Sequence, residues 1–292
     1  MDGFAGAARL LPPEAERAAQ GMPEEEKKRC EEFRLRLGRA PTVVLGGREY
    51  PLCRGLVEKQ MLRCVLETAT RSSLHAQTEA LRRGYAAAEG GVRVGLCGTG
   101  VLGERGLEGL TDFTSLAIRI PREVPGCADG LWLNLQKEGL ASILILSPPG
   151  AGKTTLLREL VRKFSESGLR VAVADERREI AAFSGRGFGF NVGRCTDVMT
   201  DVPKAVAVSM LLRAMNPQVI AVDEITEPGD VKAVLEAVGC GVALLATVHG
   251  SSPEDLRRRP AGRMLLESGA FQRYIAVECS AGRRHYRMES LS

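Results

Sequence analysis

The chain has 292 residues and a formal net charge of +4, and 44% of its residues are hydrophobic. This length suffices for two domains, and this apolar content suffices for a core in each of them. The weak positive charge does not indicate nucleic acid as a partner, no apolar run reaches the length of a membrane span, and the N-terminus has no signal-peptide core. We therefore expect a cytoplasmic protein.

The eight cysteines are widely scattered, and none of them forms a C-x-x-C pair. This spacing favours reduced thiols over a disulfide framework or a zinc site. Aromatic residues make up only 4% of the chain. Such a low content argues against a stacking platform for single-stranded nucleic acid.

The first part of the chain predicts a small α+β domain. Residues 1–22 are rich in Ala, Gly and Pro and are expected to form a flexible lead-in, and we assign 23–120 to the domain. Period-two alternation predicts its strands and helical spacing of apolar residues predicts its helices. The predicted strands are 33–37, 42–45, 92–96 and 116–120, with a turn at Gly46-Gly47. One predicted helix begins at Pro23, and two others span 57–69 and 74–84.

A linker is predicted at 121–135, because two prolines and a glycine interrupt regular structure at its start. From 136 to 292, strands and helices alternate, which predicts a parallel, doubly wound sheet. The segments 271–279 and 284–288 predict a closing antiparallel pair.

Residues 143–155 combine an apolar strand with a glycine-rich turn that ends in Lys-Thr-Thr. Backbone N–H groups of such a turn surround a polyphosphate, and the following helix points its positive end at the anion. Lys153 is expected to reach the β- and γ-phosphates, and Thr154 to coordinate Mg²⁺. Ser147 stands where the motif has glycine, and an ordinary glycine-rich βα turn is the alternative. The predicted nucleotide-binding residues are Ser147, Pro148, Pro149, Gly150, Ala151, Gly152, Lys153, Thr154 and Thr155.

A second apolar strand, 219–222, ends in Asp223 and Glu224. Ligands of open α/β sheets lie at the carboxyl ends of the strands, so both acids are expected near the phosphate loop. Asp223 would hold Mg²⁺ together with Thr154. Glu224 would orient or deprotonate the attacking water. A solvated acidic turn is the alternative for this pair.

Two further strand ends carry polar residues that fit the same edge of the sheet. Glu176 follows the strand 171–175 and could polarise water or bind Mg²⁺ through a water of its coordination shell. At the end of another strand, Thr247 or His249 could sense the γ-phosphate. Ordinary loop polarity is the alternative for each. A strand and helix within 171–182, between the two motifs, indicate a RecA-like ATPase, and the absence of a guanine-reading motif favours ATP.

Six strings of residues resemble the stage III sporulation protein AA family, which is similar to the ATPases of type II and type IV secretion systems. They fall at 33–39, 175–180, 196–198, 211–217, 222–224 and 246–250, in order along nearly the whole chain. The resemblance implies a RecA-like P-loop domain behind a smaller α+β domain. It carries over the roles of the phosphate loop, Glu176, Asp223, Glu224 and His249.

The resemblance also implies a hexameric ring of copies on the mother-cell side of a membrane-embedded channel between mother cell and forespore. The protein would be peripheral at that membrane through its partners. Related ATPases use arginines from the N-terminal domain or a neighbouring subunit, for which Arg93 and Arg119 are the candidates. Solvated arginines on a strand face are the alternative.

Three functions remain open from the sequence. The first is a ring-forming ATPase that powers transport or assembly, with a hinge at residues 121–126. The second is a nucleic-acid-associated ATPase, which the dispersed basic residues do not favour. The third is a ring scaffold that binds nucleotide with little turnover.

Overall fold

A computed structural model describes residues 3–104, 106–148, 150–183, 187–280 and 283–291. The chain divides into two compact units. The first is Met1–Arg122 together with Ala182–Gly189, and the second is Glu123–Ala181 together with Phe190–Ser292. None of the helices in the described ranges combines the length and apolar character that crossing a bilayer requires.

The first unit is built on a six-stranded antiparallel sheet with strand order β3-β2-β1-β6-β5-β4. Alternation along β1 turns Phe33 and Leu35 into the core. The turn between β2 and β3 uses Gly46 and Gly47, both with positive φ. The helices are α1 Gly3–Ala8, α2 Pro13–Gln20, α3 Glu24–Arg29, α4 Lys59–Ala69 and α5 Leu74–Arg83, and the strands are β1 Cys30–Arg36, β2 Thr42–Leu45, β3 Arg48–Pro51, β4 Tyr85–Ala87, β5 Arg93–Gly103 and β6 Gly106–Arg119.

The prediction of a flexible lead-in at residues 1–22 was wrong for the part that is described. The helices α1 and α2 bury Phe4, Ala7 and Ala15 in the core of the first unit. The Phe4 ring packs edge-on against Phe33, with centroids 5.6 Å apart. Composition suggested a flexible lead-in, but alanines at helical spacing form a buried stripe at little cost in side-chain entropy.

The strands predicted at 92–96 and 116–120 are parts of a much longer hairpin, β5–β6. Its glycines resemble loop residues in the sequence, yet cross-strand pairing holds them in the ladder. At Gly98 the register shifts, and a Cβ there would lie 2.5 Å from the carbonyl oxygen of Thr111. Glycine is therefore required at this bulge, where the two backbones approach closely.

The second unit is a seven-stranded sheet with strand order β13-β12-β7-β11-β10-β8-β9. All neighbouring strands are parallel except β12 and β13, which form the predicted closing antiparallel pair. The predicted parallel α/β sheet is thus confirmed. The helices are α6 Asp129–Glu138, α7 Lys153–Glu166, α8 Lys204–Met215, α9 Pro228–Gly239, α10 Pro253–Arg257 and α11 Pro260–Glu267, and the strands are β7 Ile143–Ser147, β8 Val171–Asp175, β9 Thr196–Thr200, β10 Val219–Val222, β11 Ala243–His249, β12 Arg273–Ser280 and β13 Arg283–Ser290.

Side chains of the central strands enter two separate cores, one on each face of this sheet. Along β7, Ile143 and Ile145 join the core that contains α7, whereas Leu144 and Leu146 join the core that contains α8 and α9. Burial on both faces explains why the strands are continuous apolar runs rather than alternating ones. The polar residues are consequently concentrated where the strands end.

The helix predicted after β8 does not form. The Asp175 carboxylate accepts backbone hydrogen bonds from Glu179, Ile180 and Ala181 at 2.8, 3.0 and 2.9 Å. Arg178 adopts a φ of +57°. A side chain that captures three consecutive N–H groups offers the backbone an alternative to helical hydrogen bonds, so this segment folds as a compact turn.

Candidate nucleotide site

Four adjacent parallel strands, β7, β11, β10 and β8, end side by side at one edge of the second sheet. Their registers pair His249 with Ser147 and Ala246 with Val222, so β7 and β11 end level with each other and β10 ends three residues earlier. This edge, outside the carboxyl ends of parallel strands, is where open α/β sheets bind ligands.

The predicted phosphate loop, residues 147–155, connects β7 to α7 and depends on its glycines. Gly150 and Gly152 have φ values of +76° and +101°, which disfavour any residue with a side chain. A Cβ at Gly152 would also lie 2.6 Å from Nε of Arg284, which donates to the Ala151 carbonyl at 3.0 Å. The loop backbone therefore depends on the C-terminal hairpin for part of its support.

Ser147 fits the start of this loop, although the motif usually has glycine there. The side chain is buried, and its hydroxyl donates to the Pro148 carbonyl at 2.9 Å. The Ser147 carbonyl accepts from the N–H of Gly250 at 3.2 Å. Pro149, which the sequence includes in the loop, lies outside the described residues.

Asp223 is held by two threonine hydroxyls from different elements. Thr154 Oγ1, in the first turn of α7, donates to Asp223 Oδ2 at 2.7 Å, and Thr247 Oγ1, in β11, donates to Oδ1 at 2.5 Å. The Thr247 hydroxyl also accepts from the backbone N–H of Glu224 at 2.7 Å. These contacts join the phosphate loop, β10 and β11 in one network.

The residues predicted to hold Mg²⁺ fit that ion. Thr154 and Asp223 supply a hydroxyl and a carboxylate within hydrogen-bonding distance of each other at the helix start. Mg²⁺ prefers hard oxygen ligands, and it binds through one or two protein groups together with substrate phosphates and water. Among the described residues, no cluster of three or more His, Cys, Asp or Glu offers an all-protein metal site.

Glu224, His249 and Lys153 lie together beside this network. His249 Nε2 donates to Glu224 Oε1 at 2.7 Å, and the Lys153 ammonium lies 3.3 Å from the same nitrogen. Because Nε2 carries the proton given to Glu224, it cannot also accept from Lys153. The ammonium is therefore adjacent to the imidazole without a hydrogen bond to Nε2.

Arg177, which follows β8, completes this group, and the sequence did not single it out. Its guanidinium donates to Glu224 Oε2 at 2.8 Å. Burial raises the pKa of Glu224, but Arg177, Lys153 and the hydrogen bond from His249 outweigh it and hold the pKa below its ordinary value. The carboxylate is therefore ionised at neutral pH.

Glu224 itself adopts a φ of +57°. This left-handed conformation is unfavourable for a residue with a side chain and is held here by the hydrogen bond to Thr247. It turns the chain sharply after β10, so that the consecutive carboxylates of Asp223 and Glu224 contact different partners.

Glu176 forms an ion pair with a residue other than those that contact Glu224. Its carboxylate lies 3.5 Å from the ammonium of Lys204, which lies 3.6 Å from the Asp230 carboxylate. The role of Glu176 at magnesium or water remains a prediction.

Arg158 fixes the segment that carries Arg177. It extends from α7 and is buried, and it donates to the carbonyls of Ile180 and Glu179 at 2.6 and 2.5 Å. Its guanidinium stacks 3.7 Å from the Phe190 ring centroid, and burial lowers its pKa. Its position inside the apolar pattern of α7 is a sequence signal that could have identified Arg158, but the groups that it contacts depend on the tertiary fold.

A cavity of about 260 Å³ opens beside the start of α7. Thr155, Arg158, Glu159 and Arg162 of α7 line it, together with Glu123, Val124, Pro125 and Asn191. The volume is close to the lower end of small-molecule sites, about 300 Å³.

The two arginines predicted to act in catalysis both lie in the first unit. Arg93 stacks on the Tyr85 ring at 3.8 Å from its centroid. Arg119 lies 3.6 Å from the carboxylate of Glu32. A catalytic role for either remains a prediction.

This sheet, with its phosphate loop and acidic strand end, is the fold of the RecA-like P-loop ATPases. Two solved structures share it: the Legionella pneumophila ATPase DotB, at TM-score 0.60 and 17% identity over 95% of this chain and 80% of that one, and the pilus retraction motor PilT with bound ADP, at TM-score 0.64 and 17% identity over 91% and 81%. Stage III sporulation protein AA of Bacillus subtilis (strain 168) is 36% identical over 283 residues, which are 94% of this chain and 91% of that relative. The chain belongs to the family described as Sporulation stage III, protein AA, whose model matches residues 16–286.

Proposed function

We propose that the protein hydrolyses ATP to ADP and phosphate at the carboxyl edge of the second sheet. The observation that carries this proposal is the 2.7 Å hydrogen bond between Thr154 and Asp223, beside the Lys153–His249–Glu224 group. A phosphate loop, a magnesium pair and an ionised carboxylate are the parts that phosphoryl transfer to water requires.

Each residue of the site has a distinct role in this reaction. The loop N–H groups and the Lys153 ammonium bind the β- and γ-phosphates, and Thr154 and Asp223 hold Mg²⁺. The ion, when bound, neutralises charge on the phosphate oxygens. Glu224 orients the attacking water and accepts its proton, and His249 keeps the Glu224 carboxylate in place.

We assign the base of the adenine nucleotide to the cavity beside α7. Thr155, next to the proposed magnesium ligand, lines the cavity together with apolar residues and charged or polar ones: Val124, Pro125, Arg158, Arg162, Glu123, Glu159 and Asn191. Such a lining accommodates a flat ring with polar edges. The bound ADP in the solved motor with the same fold supports this assignment.

We further propose that copies of the chain assemble into a hexameric ring that powers or assembles a channel between mother cell and forespore. Membership in the sporulation family supports the process, and the fold shared with a pilus retraction motor supports the coupling of hydrolysis to movement. The ring would act on the mother-cell side, peripheral at the membrane through channel subunits.

The first test is steady-state phosphate release by the full chain with ATP and Mg²⁺. Lys153→Ala and Glu224→Gln should each lower turnover at least ~100-fold, because each removes a group that stabilises or activates the transition state. Glu224→Gln should still bind ATP. Lys232→Ala and Glu236→Gln, which change exposed residues of α9, are the matched controls. Equal turnover in Lys153→Ala and the unmodified chain would refute the proposal.

The second test is the mass of the particle in solution with and without ATP and Mg²⁺. A six-fold increase on nucleotide addition would support the ring. A monomer under both conditions would contradict it, and would leave the hydrolysis proposal to be decided by phosphate release.

A further inference from the structure

Glu224 is held by one donor on each of its carboxylate oxygens. His249 donates to Oε1 at 2.7 Å from β11, and Arg177 donates to Oε2 at 2.8 Å from the segment after β8. An ionised carboxylate has about four acceptor positions, so two donors fix its orientation and still leave positions for water.

Arg177 is presented by a backbone that is itself fixed. Asp175 accepts the N–H groups of Glu179, Ile180 and Ala181, and Arg158 donates to two carbonyls of the same segment. The backbone segment that carries Arg177 is therefore held by hydrogen bonds both to the end of β8 and to α7, the helix that follows the phosphate loop.

The neighbouring arginine has a separate partner. Arg178 Nε lies 2.8 Å from the Asp201 carboxylate, in the loop that follows β9. Two adjacent arginines on one turn thus contact different acids, and only Arg177 contacts Glu224. This difference makes Arg178 a matched control.

We propose that Arg177 is a positioning residue for hydrolysis, which acts in cis by holding the Glu224 carboxylate in the orientation that receives the attacking water. This inference rests on the proposed function. It identifies an arginine of the nucleotide-binding unit itself, besides any arginine supplied by the first unit or by another subunit.

A contribution to the stability of the fold does not explain the contact between Arg177 and Glu224 equally well. The Arg177 side chain is 51% exposed and that of Glu224 is 22% exposed. Exposed ion pairs contribute little to the stability of a protein, so removing Arg177 should leave the fold intact. A carboxylate that loses one of its two donors can rotate, and small errors in orientation are costly in catalysis.

The experiment measures kcat and KM for ATP in Arg177→Ala, Arg177→Gln, Arg177→Lys and Arg178→Ala. Arg177→Ala and Arg177→Gln should lower kcat about 10- to 100-fold with less than about a threefold change in KM, as expected for lost orientation. Arg177→Lys should retain more activity than Arg177→Gln, because it keeps a cationic donor. Arg178→Ala should stay within about threefold of the unmodified chain.

Chemical rescue tests the contact directly. Because the side chain is half exposed, millimolar guanidinium chloride should raise the kcat of Arg177→Ala, while sodium chloride of equal ionic strength should not. In a Glu224→Gln background, Arg177→Ala should cause no further loss, since the arginine acts through that carboxylate. Independent, additive losses in the double variant would overturn the proposal.

The possible failures are distinguishable. If the unmodified chain releases no more phosphate than Lys153→Ala, the proposed function fails and this inference fails with it. If the unmodified chain hydrolyses ATP and Arg177→Ala or Arg177→Gln equals it in kcat, only the role of Arg177 is refuted. Thermal unfolding of each variant confirms that the comparison is made between folded proteins.

Discussion

The hydroxyl of Thr247 is the best single point at which to test how the site is held together. This side chain is fully buried, and its hydroxyl accepts from the Glu224 N–H at 2.7 Å and donates to Asp223 at 2.5 Å. Thr247→Val keeps the shape of the side chain and removes both hydrogen bonds. Thr247→Ser keeps the hydroxyl and removes one methyl group.

The cost of Thr247→Val follows from the groups that are left behind. An N–H without an acceptor costs about 1–3 kcal/mol, and a lost hydrogen bond to a carboxylate costs about 1.5–3 kcal/mol. The added methyl group returns about 0.8 kcal/mol of burial. The net loss is about 2–5 kcal/mol, and for a domain of this size each kcal/mol lowers the melting temperature by about 2–4 °C.

Thermal unfolding followed by circular dichroism measures this difference. Thr247→Val should melt roughly 4–20 °C below the unmodified chain. Thr247→Ser should lose only about 1 kcal/mol, the value of one methyl group. The valine variant should also lose turnover, because the left-handed backbone of Glu224 depends on this hydroxyl. A valine variant that melts at or above the serine variant would refute the reasoning.

Three further predictions concern the same edge of the sheet. Asp175→Ala should destabilise the chain by about 2–4 kcal/mol in urea unfolding. Three N–H groups lose their acceptor, and the removal of a buried charge offsets only part of this cost. A variant as stable as the unmodified chain would contradict this. Gly152→Ala should weaken ATP binding at least ~10-fold in calorimetry, because its φ is +101°, whereas Gly229→Ala, with no atom within 4 Å of the new Cβ, should not. Chelation of Mg²⁺ should abolish turnover until the ion is restored, and turnover that persists would exclude the Thr154–Asp223 assignment.

The parts of the fold that local patterns determine were predictable. The family and the parallel α/β fold are confirmed, because motif spacing and alternation of strands and helices depend on neighbouring residues. The glycine-rich loop and the acidic strand end are local patterns of the same kind, and their roles at nucleotide and magnesium remain predictions. In the structure Thr154 is hydrogen-bonded to Asp223 and His249 to Glu224, and the Lys153 ammonium lies 3.3 Å from His249 Nε2.

Other features depend on contacts that a sequence does not reveal. The sequence pattern does not determine which charged residue between Asp175 and Glu179 faces the site. The conformation of this turn depends on hydrogen bonds from backbone N–H groups to the Asp175 carboxylate. The sequence favoured Glu176, whereas the structure joins Arg177 to Glu224 and Glu176 to Lys204. The α1–α2 pair was missed for a related reason, because alanine-rich composition does not show whether a helix finds a surface to cover.

The outer strand β13 has a consequence for any assembly of this protein. It is the border strand of the second sheet, and Arg284, His285, Arg287 and Glu289 on it are exposed. Charged residues on a border strand discourage the addition of a strand from another molecule. A ring of copies would therefore not join neighbouring protomers by strand addition at β13.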